Sequence, residues 1–210
     1  MIKSPDCKKC RRVGAKLFLK GEKCDSQKCP MIKKPYSPGE KPKRRKSRVS
    51  QYGIELVEKQ KLRYWYYIKE KQFVRYIKSV TEKKSGIEGA GDQLLRALEG
   101  RLDNFVYRAG FASSRLEAKQ LVNHRFFYVN GKPVDVPSYQ IKVGDVVSVR
   151  DSKKKTKNFV DFKTKMKNFK PPSWISLDKN KIEAKSTGEV VIKDIAPPVE
   201  ISSIFEFYSR

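Results

Sequence analysis

Histidine is almost absent from this 210-residue chain, His124 being the only one. With it goes much of acid–base and nucleophilic catalysis: no histidine dyad can be assembled. Neither a Gly-x-Ser-x-Gly elbow nor a Gly-Lys-Ser/Thr phosphate loop is written anywhere. Long apolar runs are missing too. No stretch approaches the ~18 apolar residues of a spanning helix, and Met1 to Asp6 holds no signal-peptide core. The expectation is a soluble, cytoplasmic protein with no membrane partner. Acidic residues are scarce, 23 Asp+Glu against 48 Lys+Arg, for a formal net charge of +25. That excess calls for a polyanion, and without a membrane segment the polyanion is nucleic acid.

Cysteine is confined to one short window. Cys7, Cys10, Cys24 and Cys29 form a C-x2-C pair, a 13-residue gap and a C-x4-C pair, and no cysteine follows. Two thiolate pairs on tight turns suit one tetrahedral ion, and residues 1–34 carry too little hydrophobic periodicity to fold without one. Zinc is the first expectation, with a four-cysteine iron–sulfur cluster as alternative and four unligated thiols as the bland reading. Four protein sulfurs leave no place for a water nucleophile, so the metal's role is structural. Lys8, Lys9, Arg11 and Arg12 surround the pattern as candidate phosphate contacts. Residues 1–50 hold 17 Lys+Arg against 4 Asp+Glu, which makes this quarter of the chain the most basic.

Residues 35–49 read as a linker, punctuated by Pro35, Pro38 and Pro42 and ending in a basic run that includes Arg44, Arg45 and Arg48. Such a run orders on RNA rather than alone. Residues 50–91 read as a helical domain broken near Ile68, with Phe73, Ile77 and Val80 as core and Lys59, Lys61 and Arg63 as candidate RNA contacts. The C-terminal residues 196–210 are apolar enough to pack back on it. Ser85 to Gly91 is glycine-rich and reads as a hinge.

Residues 92–195 form the most informative part. A helix over 92–109 buries Leu94, Leu98, Leu102, Phe105 and Val106, divided at Gly100 and ended by Gly110. Arg101 and Arg108 lie along one of its sides, although Arg108 equally suits a carbonyl cap. A second helix starts at Ser114, whose hydroxyl caps it and with which Glu117 closes a capping box. Leu121 and Val122 face inward, while Arg115, Lys119 and Asn123 share another face; His124 follows at the helix end. A strand over 126–129 turns at Asn130-Gly131, where both residues suit positive φ, and Lys132 stands beside the turn. Tyr139 to Arg150 reads as two short strands around Gly144-Asp145. In the lysine-rich extension, Phe159, Phe162 and Phe169 read as a buried stripe in preference to a base-stacking platform. The fold class is α+β: a metal-braced N-terminal segment, a helical domain, and an inserted module of two helices packed on a small antiparallel sheet.

These blocks in this order resemble the bacterial small-subunit ribosomal protein S4 family, in its cysteine-bearing form. The resemblance is carried by the cysteine spacing, Glu58-Lys59-Gln60-Lys61-Leu62-Arg63, Arg101 to Asn104 through Gln120 to Val122, Val129-Asn130-Gly131, Pro137-Ser138-Tyr139, Gly144-Asp145 and the ending Glu206 to Arg210. It spans nearly the whole chain. It implies a primary 16S rRNA-binding protein that nucleates small-subunit assembly at a helix junction of the 5′ domain. It also implies an S5-type ribosomal protein as neighbour, at an interface bearing on decoding accuracy, and Arg44, Arg45 and Arg48 near the path by which mRNA enters. No homo-oligomer is implied. Two departures stand out. Many members read Pro-Gly-Gln-His-Gly where this chain has Pro38-Gly39-Glu40-Lys41-Pro42. The usual His-Gly-His before the strand is here His124-Arg125-Phe126, which implies a changed backbone at the glycine position.

The same module is also attached to RNA-modifying enzymes, and a four-cysteine site also occurs in DNA-binding regulators. Only about 60 Lys- and Pro-rich residues follow the module, without catalytic apparatus, and no recognition helix follows the cysteines at finger-like spacing. The sequence therefore points to a non-enzymatic structural protein of the cytoplasmic ribosome.

Overall fold

The computed structural model describes residues 6–39, 48–82, 87–156, 159–160, 162–167 and 169–209. The chain divides into two compact units, Met1–Gln93 with Pro197–Arg210, and Leu94–Ala196.

In the first unit, of three short helices, α1 (Asp6–Val13), α2 (Glu22–Asp25) and α3 (Pro30–Lys33), the first two carry Cys7, Cys10 and Cys24, and Cys29 stands just before the third as its N-cap. Cys10, Cys24 and Cys29 are buried together with Val13, Leu17 and Leu19. Two longer helices follow, α4 (Gln51–Trp65) and α5 (Glu70–Thr81). α4 begins where the Ser50 hydroxyl accepts the Gly53 N–H at 3.2 Å. It buries Glu55, Lys59, Leu62 and Trp65, a stripe at helical spacing. α5 buries Phe73, Ile77 and Val80 as expected, and the chain breaks between the two helices around Ile68.

The division between the units falls within α6 (Ile87–Glu99). The hinge expected at Ser85 to Gly91 is corrected over Ile87 to Gly91, which is helical; Ser85 and Gly86 lie outside the described residues. A Cβ at Gly91 would stand 3.0 Å from Ile201 Cγ2, so close packing rather than bending explains that glycine.

In the second unit the chain runs through α7 (Leu102–Arg108), α8 (Arg115–Asn123), β1 (Phe127–Val129), β2 (Lys132–Pro133), β3 (Val146–Val149), α9 (Asp151–Lys154), α10 (Phe162–Lys165), β4 (Ile175–Asp178) and β5 (Glu183–Ser186). The last helix, α11 (Ile201–Ser209), belongs to the first unit, where it packs on α4 with Tyr52 and Phe207 rings 5.3 Å apart.

The helix expected over 92–109 is indeed divided at Gly100. The division is held by pairing: Gly100 C=O accepts the Ile141 N–H at 2.8 Å, and the free N–H groups of Leu102 and Asp103 donate to the carbonyls of Tyr139 (2.8 Å) and Pro137 (3.1 Å). The Pro-Ser-Tyr segment thus caps a helix through its backbone. Ser114 caps α8 from Glu117 N–H at 3.3 Å, while the Glu117 carboxylate reaches back one residue further than a capping box requires, to the Ser113 N–H at 2.8 Å.

The sheet is antiparallel in the order β2-β1-β3-β5-β4. Phe127, Val129, Val147, Val149, Ile175 and Ala184 are buried. Phe159 and Phe162 join Phe111 and Phe127 in an aromatic cluster with centroids 5.4–6.4 Å apart, so they are core, as expected, although α9 and α10 are short and separate. Tyr139 to Arg150 yields one strand rather than two, because residues 137–141 are occupied in capping α7. Asn130 and Gly131 take φ of +49° and +77°, the hairpin geometry expected of them. Asn130 also donates to Asp145 Oδ1 (2.8 Å) and accepts the Val146 N–H (2.9 Å), tying the turn to the Gly144-Asp145 loop.

Candidate nucleic-acid interface

Each unit offers cations, but fewer than the sequence promised. Arg101, expected to face RNA, is only 1% exposed. Its guanidinium meets Asp103 in two bonds, Nε–Oδ1 at 3.0 Å and Nη2–Oδ2 at 2.6 Å. Arg115 is also buried, donating to Asn104 Oδ1 at 2.8 Å with its guanidinium 4.5 Å from the Tyr107 ring centre. Arg108 is half-buried and grips Glu99, Nε–Oε2 at 2.9 Å and Nη2–Oε1 at 2.8 Å; Asn104 Nδ2 donates to the same Glu99 Oε2 at 2.5 Å. The first three helices of the module are therefore stitched by an interior ion network. Arg101 and Arg115 leave the set of exposed RNA contacts because their charge is spent on Asp103 and on the Glu99–Asn104 cluster.

A similar correction applies in the first unit. Lys59 is buried on α4, its Nζ 2.7 Å from Glu70 Oε1 and 4.4 Å from the Phe207 ring centre. Lys61 is half-buried and bonds Glu58 at 2.5 Å; Arg63 is half-buried against Glu70 at 3.2 Å. Burial pushes the Glu70 carboxyl up, but bonds from Lys59 and Tyr208 and the Lys59 and Arg63 charges outweigh it and hold the group below its ordinary range. Burial beside that carboxylate pushes the Tyr208 phenol well up. These residues hold α11, α4 and α5 together.

Of the remaining expected contacts, Lys8, Arg12, Arg48, His124 and Lys132 are exposed. Lys9 is half-buried, paired with Asp6 at 2.8 Å and lying 4.5 Å over the Tyr67 ring. Arg11 is half-buried on Tyr36, and Lys119 is half-buried on α8. Arg44 and Arg45 lie outside the described residues. Lys8 and Arg12 sit one helical turn apart on α1, an exposed pair on one face.

Cys7, Cys10, Cys24 and Cys29 all line one cavity of about 10 Å³, room for roughly one water-sized particle. None is in a disulfide. Among the described residues no group of three or more Cys, His, Asp or Glu is arranged to hold a metal ion. The chemistry of the pocket nevertheless suits a thiophilic ion. The Lys20 N–H donates to Cys24 Sγ at 3.3 Å, and Asp6, wholly buried in the same wall, keeps an oxygen (Oδ2) with no partner among the described residues. Burial pushes the Cys10 and Cys24 thiols up, countered in part by backbone bonds from Leu17 and Lys20.

Sequence reasoning passed over two arginines. Arg125, the residue expected to disturb a glycine-permitted backbone, itself holds a left-handed φ of +57°. With Arg150, Tyr128, Pro133 and Asp135 it lines an open cavity of about 460 Å³. The signal was present in the sequence as the broken His-Gly-His pattern.

A helix-and-hairpin module that presents exposed cations suits a nucleic-acid-binding class of protein. Comparison narrows the class. Residues 1–99 match the family profile described as ribosomal protein S4/S9 N-terminal domain, and residues 100–147 match the S4 domain. Small ribosomal subunit protein uS4 of Caldicellulosiruptor saccharolyticus is 46% identical over 206 residues, 98% of this chain and 97% of that protein. The uS4 proteins of Halothermothrix orenii (45%, 99% and 98% covered) and Acidithiobacillus ferrooxidans (44%, 98% and 97% covered) are similar throughout as well. The chain belongs to the uS4 family, and that family is structural rather than enzymatic.

Proposed function

We propose that this chain is a structural constituent of the small ribosomal subunit in the cytoplasm, that it binds 16S rRNA, and that it nucleates folding of a 5′-domain helix junction. The observation that carries the reading is full-length similarity to uS4 proteins at 44–46% identity, laid on a chain with formal charge +25. Its mechanism is preorganisation. Interior ion pairs fix α6, α7 and α8, so the hairpin cations are presented without an ordering cost at the moment of binding. Binding energy then stabilises an RNA arrangement that the RNA reaches poorly alone. An S5-type neighbour, a contribution to decoding accuracy, and contact of Arg44, Arg45 and Arg48 with incoming mRNA complete the reading, each supported by resemblance to the family.

A zinc ion held by Cys7, Cys10, Cys24 and Cys29 belongs to the same proposal, supported by the shared cavity and the N–H bond to Cys24. Bound there, it supplies a structural cross-link and no reaction. The protein's own part is to line one small cavity with the four thiols and to present Lys8 and Arg12 on the helix that carries Cys7 and Cys10.

Filter binding to a 5′-domain fragment of 16S rRNA across a salt series tests the RNA reading. Affinity is expected to fall steeply with salt, and alanine at Arg44, Arg45 and Arg48 together to reduce the log–log slope by about three units, roughly one per lost phosphate contact. An unchanged slope removes those residues from the interface.

A further inference from the structure

We propose that the open cavity on the β1–β2 hairpin is a subsite for one unpaired nucleotide of the bound RNA, its phosphate taken by Arg125 and Arg150 and its base by Tyr128. The inference rests on the rRNA-binding reading and adds to it a particular site and ligand class.

The cavity, at about 460 Å³, falls in the range of small-ligand sites, about 300–1,000 Å³. A duplex, whose bases are stacked inward, cannot fill a pocket of this kind. A splayed-out base can, stacking on an aromatic or guanidinium plane. Alternation along β1 places Tyr128 on the opposite face from the buried Phe127 and Val129, opposite Pro133 on one side and Ser148 on the other. Tyr128 is therefore not a core residue. The Arg150 guanidinium lies 6.0 Å from the Tyr128 ring centre and has no carboxylate partner among the described residues.

Arg125 supplies the second, independent observation. It is 67% exposed, and its backbone sits at φ +57°, a region that L side chains rarely adopt. An arginine held there costs the fold something that a glycine would not, which turns attention to what its side chain does. Asp135 Oδ2 receives its Nε at 2.8 Å, aiming the guanidinium while leaving Nη1 and Nη2 without a partner among the described residues. The wall thus carries two arginines against one aspartate. Asp135 also offers Oδ1 to the donor edge of a base, which favours a nucleotide over a bare phosphate.

The test uses the full chain on the 16S 5′-domain fragment. Ultraviolet cross-linking with peptide mapping is expected to join Tyr128 to a single nucleotide. Arg125→Gly keeps the left-handed backbone and should fold at least as stably. It should weaken binding roughly tenfold and lower the salt slope by about one unit. Arg150→Gln should weaken binding similarly, and both variants should lose the cross-link. Wild-type binding matched by both variants, with no Tyr128 adduct, overturns this subsite alone. Failure of the wild-type chain to prefer the fragment over unrelated RNA overturns the rRNA reading and the subsite together. A cross-link captured equally by duplex RNA overturns the single-nucleotide assignment.

Discussion

Residues 6–39 and the module beginning at α6 differ sharply in what they bury. The cysteine segment buries Val13, Leu17, Leu19 and three cysteines and little else, on helices of four to eight residues. The module buries a leucine row on α6, an aromatic cluster and one face of a five-stranded sheet, and it spends its own arginines on interior carboxylates. On the proposed reading the small basic segment gains an external cross-link, whereas the larger module neutralises part of its charge internally. Basic composition alone does not distinguish a cation that binds RNA from one that holds a helix.

The largest effect that would break this contrast concerns the metal. Cys24→Ser should abolish stoichiometric zinc binding, a loss drawn from the about 10–16 kcal/mol of apparent binding free energy of structural zinc sites. Amide exchange should rise across residues 6–39 and stay unchanged in the module. Protection lost equally in both regions would erase the distinction. Zinc should also be released as pH falls, since burial raises the Cys10 and Cys24 thiols and protons compete for the sulfurs.

Next in size is the interior network. Asp103→Ala removes the carboxylate that the buried Arg101 guanidinium bonds twice, and urea unfolding should show a loss of about 3–5 kcal/mol. The pair replacement Arg101→Met with Asp103→Leu should cost much less. RNA affinity of the folded pair variant should hold, which separates a structural arginine from a contact.

Smaller still is the Glu70 effect. Its folded pKa is depressed, so its stabilising share is present above the unfolded value and lost as pH falls through the folded one. Relative to Glu70→Gln, the wild-type advantage should shrink on acidification. The change should be modest, because the Glu70 side chain remains 40% exposed.

Local signals made much of the fold legible. The Ser114 cap, Asn130-Gly131 and the break near Ile68 are each decided within a few residues of themselves, and the structure agrees with all three; the division at Gly100 is where it was expected but is held from residues 137–141, and Glu117 bonds Ser113 instead of closing the capping box. The family was legible because its motifs recur in order along the chain. Less legible was everything set by partners distant in sequence. Lys59 reads as an exposed helix cation until Glu70 and Phe207 are brought against it, and Arg115 until Asn104 is. Gly91 reads as flexible until Ile201 packs on it. The strands β4 and β5 went unread because five of their eight residues are polar, leaving only Ile175, Ala184 and Ser186 to mark a buried side. Arg125 reads as a disruption of a glycine pattern, whereas in the fold it holds a left-handed backbone itself and its side chain reaches Asp135.

Chemical footprinting of the full chain on free 16S rRNA tests the central claim most directly. The account predicts protections concentrated at one helix junction of the 5′ domain and absent from an unrelated RNA of equal length. Protection no greater on 16S rRNA than on the unrelated RNA would contradict it.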